Sequence, residues 1–411
     1  MKKDDRRLRL IIRLTCFVAA LGILWPVRPP LSHGGLELFF HISPFVTVCS
    51  GIAGSVIGIG FVVGLFFAAI AMLRRKFFCR YVCPTGLLLQ QLAAIGLRKS
   101  IWPRRFPDIG NYIVLATVIG AVVGYPLFLW LDPLAIFGGT MGAFTANDIL
   151  SGISAGLPLL ALALLGFITG PLWCGRICPL GATQDLLYSL RNFLQNRMGR
   201  KQISSPPSAW NGKAGKFSPR RTFLLGALGT GAALLSRLCQ KTAAADLEYA
   251  PLRPPGAVEE SIFSGLCLRC GNCIRVCPTN IIQPDMGQGG ITSLLTPTLN
   301  FEKGYCNEDC CDCTRVCPVG ALQAMKIGMK RDYRIGEALL DTSLCLTVLG
   351  TRDCDACERA CPFDAVTIYW DDDQYLAYPR IEPQKCNGCG ACETACPTAE
   401  IKALRVWRII S

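Results

Sequence analysis

Apolar residues in this chain gather in long blocks. Four stretches, Leu10–Val27, Phe45–Leu73, Tyr112–Leu131 and Ile153–Trp173, are almost free of charge, and a shorter one runs from Thr222 to Leu238. Each of the four approaches or exceeds the ~20 residues a helix needs to cross a hydrocarbon core. The pattern therefore predicts four membrane spans and a fifth anchor or signal helix, with the first span marginal because Arg13 interrupts its start. The polar segments between them set an orientation. Lys2, Lys3, Arg6, Arg7 and Arg9 precede the first stretch, and Arg74, Arg75, Lys76, Arg80, Arg98, Lys99, Arg104 and Arg105 follow the second. Nine Lys/Arg lie between Arg176 and Arg221, whereas the first loop holds only Arg28 and none lies between Phe106 and Cys174. Basic loops stay in the cytoplasm. The N-terminus and the second and fourth loops are thus expected inside, and everything after about Gln240 outside.

Composition agrees with a membrane protein: of 411 residues 51% are hydrophobic and 17% charged, too apolar a balance for a soluble chain. The net charge of +13 hides a split, since residues 1–245 carry 26 Lys+Arg against 7 Asp+Glu and residues 246–411 carry 16 against 22. The basic half reads as membrane orientation and not as a nucleic-acid surface. Two histidines, His33 and His41, leave little room for a bis-histidine haem.

The first half contains a repeat. Stretches one and two, and then three and four, each end in the same signature: Cys79-x3-Cys83-Pro84-x-Gly86 and Cys174-x3-Cys178-Pro179-x-Gly181. If a helix continues through the motif, cysteines four apart share a face, and Pro-x-Gly then ends or kinks it. Cys79, Cys83, Cys174 and Cys178 are candidates for a shared iron–sulfur site. A redox-active dithiol and simple packing of small residues are the alternatives. A permanent disulfide does not suit a reducing compartment.

Nearly all of the 24 cysteines fall in short clusters followed by Cys-Pro, which is how Fe–S ligands are spaced. Four such motifs follow Cys267: Cys267/Cys270/Cys273/Cys277, Cys306/Cys310/Cys313/Cys317, Cys345/Cys354/Cys357/Cys361 and Cys386/Cys389/Cys392/Cys396. The first and fourth have the C-x2-C-x2-C-x3-C-P spacing of bacterial two-cluster ferredoxins, in which the fourth cysteine ligates the partner cluster. Four motifs therefore predict four [4Fe–4S] clusters in two pairs. Motifs one and four, being alike, are expected to pair around two and three. Zinc sites close with four local ligands and do not call for the x3-Cys-Pro ending. Cys310 is preferred to Cys311 because it keeps the x2 step to Cys313. Cys16, Cys49 and Cys239 stand alone in apolar surroundings and read as small buried hydrophobes.

Between the halves lies a Ser/Pro/Gly/Lys-rich linker, then Arg220-Arg221-Thr-Phe223-Leu224 ahead of the fifth apolar stretch. This looks like a twin-arginine export signal, although a basic cap on a last membrane helix would read the same. Sixteen thiols exported unfolded would meet an oxidising compartment, and a pathway for folded cargo avoids that. Cleavage near Ala245 would separate the halves. The expected organisation is an α-helical membrane domain (1–198), a linker with a signal or anchor helix (199–245), and an α+β polyferredoxin domain of two ferredoxin-like two-cluster modules (246–411).

Residues 1–195, with Cys79/Cys83 and Cys174/Cys178, resemble the NapH-type membrane quinol dehydrogenase subunit. Residues 218–411 resemble the NapG/MauM-type four-cluster periplasmic ferredoxin, including its unusual third motif from Cys345 to Cys357. The membrane family normally continues into a cytoplasmic two-cluster ferredoxin, which this sequence lacks. The resemblance implies a fusion embedded in the bacterial inner membrane, its ferredoxin domain on the periplasmic side. Quinol would pass electrons to a periplasmic reductase or c-type cytochrome, in company with other membrane redox subunits. Two other functions stay open: an assembly or maturation factor for a metalloenzyme, and an electron-transfer subunit of a larger complex that never meets quinol. The sequence does not fix whether quinol would bind near the outer loop, where His33, His41 and Asp132 sit, or near the inner cysteines, and His33 and His41 also read as ordinary interfacial residues. Acids near motif three (Asp353, Asp355, Glu358, Asp364 and Asp371 to Asp373) suggest docking of a basic partner or simply a solvated face.

Overall fold

The computed structural model describes residues 3–25, 33–53, 58–96, 107–143, 149–198, isolated positions between 229 and 238, 251–372, 376–398 and 401–408. The twin-arginine sequence, most of the linker, Ala245 and Asp373 lie outside these residues.

The first half is helical. Helix α1 covers Lys3–Leu24, and α2 (His33–His41) and α3 (Pro44–Ile52) follow, meeting at 94°. Next come α4 (Ile59–Leu73), a single turn α5 (Phe77–Tyr81) and α6 (Pro84–Ile95). The second copy runs α7 (Ile109–Val122), α8 (Pro133–Ala143), α9 (Ile149–Thr169), a π-helical turn Trp173–Ile177 and α10 (Pro179–Arg197). Among the described residues α9 is the one helix long and apolar enough to cross a membrane, and α2–α3 reach that measure only as a bent pair. Two expected spans are therefore broken. The block 45–73 is two helices packed on one another, with Gly51 facing Phe61 and Gly64 facing Thr47. The block 112–131 stops at Val122, because Gly124 takes φ +80° and Pro126 follows.

The two copies meet at their caps. Ser43 precedes Pro44 of α3 and Asp132 precedes Pro133 of α8, each capping its helix: Val46 N–H donates to Ser43 Oγ (3.5 Å) and Leu134 N–H to Asp132 Oδ1 (2.9 Å). Ser43 Oγ also donates to Asp132 Oδ2 at 2.6 Å, with both residues fully buried. A cap pair shut away from water satisfies donors that would otherwise be orphaned, so the half-way prolines mark where each repeat turns inward.

The second half is built from short pieces: α11 (Glu260–Leu266), α12 (Asn272–Val276), α13 (Asp312–Arg315), α14 (Ala356–Ala360) and α15 (Ala391–Ala395). Strands pair antiparallel as β1 (Ile282–Pro284) with β2 (Pro297–Leu299), β3 (Glu337–Leu340) with β6 (Leu404–Trp407), and β4 (Val366–Asp371) with β5 (Leu376–Ile381). Their registers match Ile282 to Leu299, Glu337 to Trp407 and Val366 to Ile381. Helices α12 to α15 each carry the third cysteine of a motif and stop just before the fourth, where the residue preceding proline is steered out of helical geometry.

Candidate iron–sulfur sites

The halves are packed together through motif one. Arg275 of α12 is buried and donates through Nη1 to the Gly138 carbonyl (2.6 Å). Its neighbour Asn272, equally buried, donates to the carbonyls of Leu36 (3.3 Å) and Val316 (3.0 Å). The approach needs glycine. A Cβ on Gly139 would stand 2.8 Å from the Arg269 carbonyl, and Gly271, at φ +71°, lies against Gly142. The Arg269 guanidinium rests over the Trp130 ring at 5.1 Å, and Gly265 abuts the ring of Tyr125. His41 is fully buried next to Pro318, with Glu37 Oε1 3.9 Å from its Nε2.

The sixteen cysteines of the four motifs form four groups, each drawing three ligands from one motif and one from its partner. Site A joins Cys267, Cys270 and Cys273 to Cys317, around a cavity that is partly open to solvent. Site B joins Cys306, Cys310 and Cys313 to Cys277, which act electrostatically on one another. Site C joins Cys345, Cys354 and Cys357 to Cys396 around a small pocket. Site D joins Cys386, Cys389 and Cys392 to Cys361 around another. Motif one thus pairs with two, and three with four, which corrects the nested pairing expected from spacing. The reason is chain geometry. The β3–β6 ladder brings the end of motif four back beside the start of motif three, while α12 and α13 of the first two motifs pack directly together. Cys310 faces Cys306, Cys277 and Cys313, whereas no cysteine is among the charges acting on Cys311.

Each group offers four thiols, with no histidine or carboxylate among the ligands. That donor set fits a [4Fe–4S] cubane, whose corners are separate, better than one zinc ion. Burial pushes the Cys270 thiol up to about 12 and the Cys317 thiol up to about 11. Burial also pushes Cys273 well up, with Cys270, Cys267, Cys317 and Cys313 adding repulsion. Thiolates crowded in this way are stable only against a cation, so assembly of the cluster must displace protons. A cluster held there would accept and release single electrons. Sites A and B are adjacent through Cys273 and Cys313, and sites D and C through Cys392 and Cys357. Sites B and D are joined by Cys306 N–H donating to the Cys389 carbonyl at 2.8 Å. The sequence of sites is A, B, D, C, with A against α8 and α9.

Sequence reasoning missed Lys330. It is fully buried, and its Nζ donates to the carbonyls of Asn307 and of Cys310 (2.6 Å) beside the Cys306 thiol. Nothing in a lone Lys-Arg-Asp run announces such a position. Arg253 and Glu260 were missed too: they form a buried, two-pronged ion pair (Nε–Oε2 2.9 Å, Nη2–Oε1 2.5 Å) at the foot of α11, immediately ahead of Cys267.

Cys79, Cys83, Cys174 and Cys178 also come together, each within electrostatic reach of others of the set. The helix does not continue through either motif, however. Cys79 sits in α5 and Cys174 in the π-helical turn, and each Cys-Pro starts a new helix, α6 or α10. Proline at the first helical position needs no N–H partner, and Cys83 Sγ accepts from Gly86 N–H at 3.3 Å. Gln184 bridges the copies, donating to Cys79 Sγ (3.1 Å) and accepting from Phe78 N–H (3.1 Å). Arg13, which broke the first apolar stretch, donates to Gln90 Oε1 (2.6 Å) and acts on Cys79, Cys83 and Cys174.

Comparison with known proteins agrees with this chemistry. Residues 352–399 match a 4Fe-4S dicluster domain, and residues 261–283 match a 4Fe-4S binding domain. A further 4Fe-4S binding domain matches twice, at 56–105 and 151–200, each time around one Cys-x3-Cys-Pro. Ferredoxin-type protein NapG of Haemophilus influenzae is 32% identical over 206 residues, 46% of this chain and 70% of its own length. The methylamine utilization ferredoxin-type protein MauM of Methylorubrum extorquens is 32% identical over 42% of this chain and 82% of its own. Ferredoxin-type protein NapF of Haemophilus influenzae is 32% identical over 44% and 92%. No solved structure matches. By these relatives and by its cysteine groups, the chain belongs to the NapG/MauM/NapF ferredoxin-type iron–sulfur proteins.

Proposed function

We propose that this protein is a membrane-bound electron carrier that takes electrons from quinol and passes them through sites A, B, D and C to an acceptor on the outer face. The observation that carries the reading is the seating of motif one on α8 and α9: the first site of an ordered series touches α9, the one described helix long and apolar enough to cross a membrane. An unpartnered apolar face supports the membrane setting. Ile153, Leu157, Leu160, Leu164 and Ile168 form one exposed stripe along α9, a surface that water does not favour. Quinol gives up two electrons and two protons on becoming quinone. With clusters in place, Cys267, Cys270, Cys273 and Cys317 at site A and Cys306, Cys310, Cys313 and Cys277 at site B would hold two one-electron acceptors, and the protons would leave to the outer aqueous side. Cys79, Cys83, Cys174 and Cys178 are proposed to hold a further cluster at the inner end of α9. The test uses full-length anaerobic protein in lipid vesicles. Reduced menaquinol should bleach the visible absorbance of the clusters within seconds. Clusters that respond to dithionite but never to quinol would remove the dehydrogenase role.

A further inference from the structure

We infer that the quinone ring binds between the outer ends of α8 and α9 and motif one, where Arg269 supplies the hydrogen bond to its oxygen. This rests on the quinol reading and places that substrate at an address. The site A cavity does not end at the cysteines. It is also lined by Trp130, Ile136, Gly139, Ala155 and Pro158, an apolar wall with one charged residue, the usual make-up of a site for a flat, mostly hydrophobic ligand.

Arg269 lines the same cavity. Its Nε and Nη2 are occupied by the carbonyls of Leu294 (2.7 Å) and Thr292 (2.6 Å), and its plane is fixed over Trp130. Its Nη1 is shut off from solvent and has no hydrogen-bond partner among the described residues. A guanidinium held by two of its donors, with a third unspent, is suited to a ligand that brings an oxygen. A shut-off donor without an acceptor is costly, and a quinone carbonyl or quinol hydroxyl would meet that need. Arg269 lines the cavity together with Cys267 and Cys270, so an oxygen on Nη1 would sit beside the ligands of site A. The exposed stripe of α9 begins at Ile153 and continues through Leu157, Leu160 and Leu164, giving an isoprenoid tail a path from the ring into lipid.

The experiment is photolabelling of the iron-loaded, full-length protein in lipid nanodiscs with an azido-quinone, followed by peptide mapping. Label is expected within residues 130–158 and 267–273. Ala155→Trp, which fills the cavity from the α9 side, should cut labelling and quinol-driven reduction about tenfold or more while leaving iron content and dithionite reduction unchanged. Arg269→Gln should weaken labelling at an intact iron content. Label that maps elsewhere, or Ala155→Trp protein that still labels and still reduces with quinol, overturns the site yet leaves the quinol function standing. Wild-type protein that takes no electrons from quinol overturns the functional reading itself. If Ala155→Trp loses its iron, the wild-type label map alone decides.

Discussion

The buried ion pair ahead of Cys267 allows a quantitative test of what holds site A in place. Replacing Glu260 by Gln leaves the Arg253 guanidinium, whose side chain is 5% exposed, without its counter-charge. Breaking a buried pair from one side costs about 3–5 kcal/mol. Arg253 keeps the Thr296 hydroxyl and the Pro297 carbonyl (both 2.8 Å) and the face of Phe263 (4.7 Å), so the low end applies. A loss of about 3 kcal/mol is more than a hundredfold in the unfolding equilibrium. The assay is guanidinium-induced loss of cluster absorbance, read beside circular dichroism, under anaerobic conditions. The double variant Arg253→Met/Glu260→Leu should recover most of the loss, because apolar replacement of a buried pair is close to neutral. The pair also fixes a pH dependence. Burial alone would raise the Glu260 carboxyl, but the hydrogen bonds and charge of Arg253, with Arg408, hold it below the usual range. A depressed carboxyl contributes stability that is fully present above its unfolded value of about 4.3 and is lost as pH falls through the folded value. The Gln variant should therefore lose part of the acid sensitivity of the wild type. A single variant that costs less than about 1 kcal/mol, or a double variant weaker than the single, would refute the reasoning.

Four further outcomes are expected. Cys317→Ser should alter the electron paramagnetic signal of site A and Cys396→Ser that of site C; a Cys396→Ser effect on the site of motif one would restore the nested pairing. Changing Cys79, Cys83, Cys174 and Cys178 together to Ser should lower bound iron by about four atoms if they hold a cubane, whereas unchanged iron and spectra would leave a dithiol or packing role. Lys330→Met removes a buried cation beside Cys306 and should lower the potential of site B by on the order of 50–100 mV; an unshifted potential in redox titration would deny it that role. Asp353→Asn and Asp372→Asn should slow association with a cationic cytochrome, and the wild-type rate should fall with ionic strength. A rate that is flat with salt would leave these acids to solubility.

The local parts of the sites were legible because the ligand spacing is itself the structure: three thiols on a tight loop, then a fourth aimed away by Cys-Pro. The partner of that fourth cysteine was not legible, since it depends on contacts far apart in sequence, such as Cys306 with Cys389 and Glu337 with Trp407. The apolar blocks were visible, but their length misled. The block 45–73 is two helices, Pro44–Ile52 and Ile59–Leu73, and the block 112–131 ends at Val122, where Gly124 takes a positive φ and Pro126 follows, whereas a hydropathy reading sees one span in each. The acidic surface was also read too simply. Asp355 pairs with Arg359 at 2.7 Å, and Glu358 accepts the Ile368 N–H at 3.1 Å, so part of that charge is structural. The contact between the halves had no periodic signal at all: it rests on Asn272, Arg275 and a few glycines.

Helix α9 places the two cysteine systems at its opposite ends. Ala155 lines the cavity of site A, while Thr169 leads into the turn that carries Cys174. Fourteen residues of helix separate them, about 21 Å at 1.5 Å per residue. The A, B, D, C series extends away from α9 through direct neighbours, so the inner cysteines are not one more step in that line. Under the proposed quinol function, a lipid-soluble two-electron carrier would join the two ends along the exposed apolar stripe of α9, with Arg13, Lys76 and Gln184 beside the cysteines at one end and Arg269 beside site A at the other.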